Sequence, residues 1–165
     1  LAIFSSVVHL GSKPPLIGII TRPNTVPRDT YKNIISNKIY TINHISKDMV
    51  ERAHYTSAKF SEDESEFEYC NFEEEYIVDF DAPFVKESQI KIGMKLIEEK
   101  NIETNNTILI IGQVQNIIVD ESFVDEEGSL NYKKLSSVCI SGLDTYYETN
   151  IISRYPYARK ENLPF

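Results

Sequence analysis

The chain has 165 residues, enough for one domain and hardly enough for two. Hydrophobic residues make up 41% and charged residues 25%, the balance of a folded protein rather than a disordered one. Acidic residues outnumber basic ones by 25 to 17, a formal net charge of −8. That argues against a surface built to grip a nucleic-acid backbone, while leaving room for a small cationic pocket.

Cys70 and Cys139 are too few for a disulfide framework and have no C-x-x-C spacing. They read as independent thiols of a reducing compartment, so a cytoplasmic location is expected. No run of eighteen apolar residues exists, so no membrane span is expected. Leu1 to His9 is apolar but lacks the basic start and the small-residue cleavage site of a signal peptide. The chain opens without Met on Leu1-Ala2-Ile3-Phe4, which reads as the middle of a buried strand. Residues upstream of Leu1 are therefore expected to be missing.

In chain order, Leu1 to Leu10 reads as a first strand and Leu16 to Thr21 as a second, paired across a Gly/Pro turn. Arg22 to Pro27 cannot continue a strand through Pro23 and Pro27. A short helix begins near Asp29 or Thr30, either of which can cap it, with Tyr31, Ile34 and Ile35 on one face, and ends at Asn37 or Lys38. Lys38 to His44 alternates like a strand. Ser46 caps a second helix reaching about Ala58, with Met49, Val50, Ala53 and Ser57 on its inner stripe. Glu62 to Glu75 holds eight carboxylates and no basic residue, and reads as a solvated acidic face around a short amphipathic turn. From Ser88 the pattern is β: Ile90, Ile92, Met94 and Leu96 alternate, Asn101 to Asn106 turns, and Thr107 to Val119 returns with Gly112 as a bulge or bend. Asp125 to Gly128 is a further turn, Lys133 to Cys139 returns apolar residues with Cys139 facing a packed interior, and Gly142 breaks the run. Several long strands, short helices and no βαβ alternation predict a mainly β protein with short helices (α+β), an antiparallel sheet or barrel.

Familiar catalytic motifs are absent. There is no G-x-S-x-G elbow, Walker sequence or G-x-G-x-x-G fingerprint, and His9, His44 and His54 have no metal-ligand spacing. Two polar groups stand out. One runs through Arg22, Thr25, Arg28 and Thr30 at a helix start, where free amides and guanidinium forks suit a single phosphate. Surface ion pairs with the acidic run are the plainer reading of the same arginines. The other is His54-Tyr55-Thr56-Ser57-Ala58-Lys59, with hydroxyls and one ammonium. Ser5 and Ser6 lie within the first apolar run, where strand hydroxyls serve structure or line a planar ligand.

The segments Leu1–Leu16, Arg22–Asn33, Tyr40-Thr-Ile-Asn-His44, Ala53–Lys59, Ile110–Val114 and Ser141–Tyr146 together resemble the flavin reductase-like, FMN-binding split-barrel family, nearest its flavoredoxin-like branch. The resemblance implies one such domain over residues 1–165, an antiparallel split barrel that forms a homodimer, with FMN near the subunit interface. It implies that Ser5, Ser6 and Val7 line the isoalloxazine, that Arg22, Thr25, Arg28 and Thr30 face the ribityl and phosphate end, and that Ser57 and Lys59 complete the phosphate environment. It also implies hydride transfer from NADH or NADPH to flavin N5 with no catalytic side chain, reduced flavin then passing to a redox partner or monooxygenase. The alternative within the same resemblance is a non-enzymatic FMN electron carrier.

Overall fold

The computed structural model describes residues 1–23 and 25–163. Its largest element is a five-stranded antiparallel sheet. β1 (Val7–Ser12) pairs with β2 (Pro15–Thr21), and β2 with β7 (Thr107–Val119). β7 pairs in turn with β6 (Ile90–Ile102), and β6 with β3 (Ile39–Asn43), giving the order β1-β2-β7-β6-β3. β4 (Glu74–Ile77) and β5 (Phe80–Val85) form one small hairpin, β8 (Val138–Ser141) and β9 (Thr145–Glu148) another. The helices are short: α1 (Asp29–Asn37), α2 (Val50–Tyr55) behind a 3-10 turn at Lys47–Met49, α3 (Glu66–Tyr69) and α4 (Tyr132–Leu135). The expected class, mainly antiparallel β with short helices, is the one observed.

Strand alternation sorts the side chains of the sheet. Ile17 and Ile19 of β2, Ile108 and Ile110 of β7, Met94 and Tyr40 turn inward and meet Ile34 of α1. Leu109, Val8, Leu10 and Gly18 lie together on the opposite face: a Cβ on Gly18 would stand 3.0 to 3.2 Å from side-chain carbons of the other three. A second core gathers Met49, Ala53, Phe67, Cys70, Phe72 and Val85 beneath the acidic run, and a third joins Phe80, Ala82 and Phe84. β3 and β5 face each other without a ladder. Thr41 Oγ1 donates to Pro83 O at 2.7 Å, Asn43 Nδ2 donates to Thr41 Oγ1 at 2.9 Å, and Val85 N–H donates to Asn43 Oδ1 at 3.0 Å. Side chains thus close the seam where Pro83, which has no N–H, faces β3.

Several expectations need correction. Leu1–Ser6 is not strand. Ladder pairing starts at Val7, because Leu1 and Ile3 turn into the second core while Phe4 packs on the first, which breaks the alternation a strand requires. The N-cap of α1 is Arg28, with no side-chain cap, rather than Asp29 or Thr30. Ser46 bonds Asp48 through its side chain and leaves the helix start as a 3-10 turn. The bulge near Gly112 lies in the partner strand, where the pairing shifts between Leu96 and Glu98. Gly112 itself is required by Tyr40: a Cβ there would lie 2.2 Å from the phenol oxygen. Cys139, expected to face a packed interior, is exposed because it points outward from the two-stranded β8–β9 hairpin, whereas Cys70, within the run read as a solvated acidic face, is buried in the second core.

Candidate functional site

A cleft of about 330 Å³ opens between the 1–4 segment, α1, β3, the start of α2 and β5. That volume falls in the range of small-molecule sites. Its floor is apolar, built from Ile19, Ile34, Tyr40, Met49, Ala53 and Val85, and polar groups converge on it from four elements. Thr30, Asn33 and Asn37 come from α1 with Ile34 between them, a spacing of three and four residues that sets them on one helix face. Thr41, Asn43 and His44 come from β3 and its end, Thr56 follows α2, and Asp81 comes from β5.

Two titratable groups in the lining are fixed in their neutral forms. Burial lowers the His44 pKa, so its imidazole is neutral near pH 7. Its backbone is clamped, the N–H donating to Ile90 O at 2.9 Å and the carbonyl accepting from Ser88 Oγ at 2.7 Å. Burial also pushes the Tyr40 phenol up to about 12, and its hydroxyl has no hydrogen-bond partner among the described residues. Thr41 and Asn43 are engaged in the β3–β5 seam, whereas Thr56 Oγ1 is returned to Ala53 O at 2.7 Å.

Of the residues singled out from the sequence, Val7 and Thr30 line this cleft. Ser5 and Ser6 are exposed at the entry to β1, where the Ser6 carbonyl accepts from Ile20 N–H at 3.0 Å. Arg22 is exposed just after β2. Arg28 sits at the start of α1, its Nε directed to Pro23 O at 3.5 Å. Thr25 borders a second, wider hollow with Tyr31 and Glu99. Ser57 and Lys59 are exposed in the turn directly after Thr56, and the Lys32–Glu62 ion pair ties the chain just beyond them to α1. Each of the two polar groups of the sequence places one hydroxyl, Thr30 and Thr56, on the wall of this cleft, while Thr25 faces the second hollow. The ion pairs of the acidic run go to Lys32, Lys86, Lys91 and the Leu1 amino group; among the described residues Arg22, Arg28 and Lys59 pair with no carboxylate. The sequence reading missed Asn33, Asn37, His44 and Asp81. The first two were findable, since they follow Thr30 at helical spacing.

A family model for the flavin reductase like domain matches residues 1–138. The chain belongs to that family. Among solved structures of similar fold is a candidate flavin reductase with split barrel domain from Shewanella frigidimarina NCIMB 400, 45% identical, covering 95% of this chain and 78% of its own, with a TM-score of 0.90. The split-barrel architecture of that structure is the one described above. Flavoredoxin of Desulfovibrio vulgaris (Miyazaki F) matches at 24% identity over 95% of this chain and 82% of its own, TM-score 0.81. Nitrilotriacetate monooxygenase component B from Bacillus cereus matches at 21% identity over 93% and 78%, TM-score 0.82. At those identities the likeness of this flavin reductase-like chain to the last two is one of fold.

Proposed function

We propose that this chain binds FMN and acts as an NAD(P)H-dependent flavin reductase. The observation that carries the FMN reading is the uncapped start of α1, with Arg28 at its N-cap pairing with no carboxylate among the described residues. A phosphate needs charge and N–H donors together, and the first turn of α1 has both: amides with no side-chain cap and Arg28 at the N-cap. Arg22 and Lys59 stand on the flanking loops. The apolar floor between Ile19, Tyr40 and Val85 suits a flat ring, and Asn33 and Asn37 suit a polyhydroxylated chain. The residues present therefore fit the group. FMN, when bound, would supply hydride-transfer chemistry toward a reduced nicotinamide. Arg22, Thr25, Arg28, Thr30, Ser57 and Lys59 would hold its phosphate, Ser5, Ser6 and Val7 would line its ring, and the apolar wall would exclude water. No side chain has to act as acid or base, and orientation is the main contribution of the fold.

The fold likeness to flavoredoxin favours a second reading, an FMN electron carrier without turnover. Oxidation of NADH or NADPH by FMN-loaded protein separates the two. The likeness to a monooxygenase component supports a partner enzyme as acceptor of reduced flavin. A homodimer belongs to the same proposal. Location in the cytoplasm is also proposed, from the thiols; among the described residues no helix is long and apolar enough to cross a membrane.

The phosphate assignment is tested by titrating Arg28→Ala and Lys59→Ala with FMN and with riboflavin. Loss of a charged hydrogen bond costs about 1.5 to 3 kcal/mol, so FMN affinity should fall roughly tenfold to a hundredfold. Riboflavin, lacking the phosphate, should bind almost unchanged. Equal losses for both flavins would reject the assignment.

A further inference from the structure

We infer that the C-terminal arm, residues 149–163, of one copy lies across the outer face of β1, β2 and β7 of a second copy. The inference rests on the proposed homodimer and names the surfaces that build it. The arm has no strand partner, and its large side chains bury almost nothing: Ile151 is 69% exposed, Ile152 100%, Tyr155 83% and Tyr157 85%. Yet it is held in place. Thr149 Oγ1 donates to Ser137 O at 3.1 Å, and Arg154 pairs with Asp125 at 3.3 Å and Glu127 at 3.0 Å. A segment fastened to its own subunit through polar atoms, with its apolar side chains turned outward, is built to cover something else.

The matching surface is the outer sheet face. Val8, Leu10 and Ile20 are 44%, 43% and 37% exposed there, although they sit on β1 and β2 beside Leu109. Gly18 lies beneath them and keeps the face shallow. Large contiguous apolar patches are uncommon on monomers and mark contact sites. Within one copy the arm and the face are exposed at the same time, so the arm does not cover its own subunit's sheet. A second copy supplies both missing halves at once, because a two-fold pair exchanges two equal contacts. The area is of the right size. Tyr155 and Tyr157 from two arms bring roughly 600 to 1,000 Å², a large share of the roughly 1,600 Å² of a stable interface.

The test is complementation between two full-length variants. One carries Ile152→Ser, Tyr155→Ser and Tyr157→Ser in the arm; the other carries Val8→Asp and Leu10→Asp on the face. All five positions are exposed; circular dichroism checks that each variant folds, and FMN titration of the unsubstituted chain tests the flavin reading separately. In sedimentation, the unsubstituted chain is expected to be a dimer, and each variant alone should dissociate about tenfold or more readily. An equimolar mixture should regain dimer, because a mixed pair keeps one intact arm on one intact face. A dimer that neither variant weakens, or a mixture no tighter than its components, would overturn the exchanged arm while leaving the homodimer standing. A monomeric unsubstituted chain would overturn both.

Discussion

Tyr40 buries a hydroxyl that satisfies nothing among the described residues, and Gly112 exists to make room for it. An unpartnered buried polar group costs about 1 to 3 kcal/mol. Tyr40→Phe should therefore raise stability by about 1 kcal/mol in urea unfolding; a loss would show that the hydroxyl has a partner in solution. The sign of the pH effect follows from the raised pKa. The unfolded phenol ionises near 10 and the folded one at about 12, so stability is full below pH 10 and falls as pH rises toward 12. Tyr40→Phe should flatten that part of the curve. Gly112→Ala forces a Cβ into the phenol oxygen and should cost about 1 to 3 kcal/mol. Part of that loss should return in the double variant and not all of it, since Met94 Cε stays 2.9 Å away. None of this coupling is legible in the sequence, where a glycine in a β-branched run announces a bulge and not the ring across the sheet that requires it.

At the scale of elements, the acidic run shows what periodicity misses in a short helix. Carboxylates dominate Glu62–Glu75, so the run reads as a surface loop, yet Phe67, Cys70 and Phe72 form the inner side of α3 and its following turn. Phe67, Cys70 and Phe72 are spaced too irregularly, over too few turns, to outweigh eight charges. The Cys70 thiol is pushed up first by burial and then by the Glu66 carboxylate, which leaves it a poor nucleophile. Cys70→Ser should cost about 1 to 3 kcal/mol by burying a hydroxyl without a partner. Cys139→Ser, on the exposed side of β8, should stay within about 0.5 kcal/mol. Thermal unfolding of the two single variants checks the pair; equal effects would contradict the burial difference. Neither change should abolish NAD(P)H oxidation in FMN-loaded protein if the flavin alone carries electrons. By contrast, β7 was legible from Thr107 to Val119, where β-branched content is dense, and β6 as far as Leu96; its end at Ile102 overlaps the residues read as a turn. The β8–β9 hairpin was only half legible, since Tyr146 and Tyr147 are followed by an arm of the same composition.

At the scale of the whole molecule, the order of strands and short helices forecast the class but not the assembly of the cleft. Thr30 was recognised through Arg28 and the helix start, whereas His44 and Asp81 meet it only because β3 and β5 are laid side by side. No local pattern encodes that approach. It depends on the seam through Thr41, Asn43 and Pro83, where β3 of the five-stranded sheet and β5 of the β4–β5 hairpin are joined by side chains instead of a ladder. That join has a kinetic signature. The Val85 amide gives its proton to a side-chain oxygen, so a rotation of Asn43 alone releases it to solvent, while amides in the middle of β6 and β7 exchange only when the sheet itself opens. In hydrogen–deuterium exchange Val85 should run well ahead of Ile110. Asn43→Ala should speed Val85 further and leave Ile110 almost unchanged, whereas equal acceleration of both would mean that the seam and the sheet open together. Val85 thus serves as a clock for the breathing of the barrel, timing how often the wall of the cleft parts from its floor.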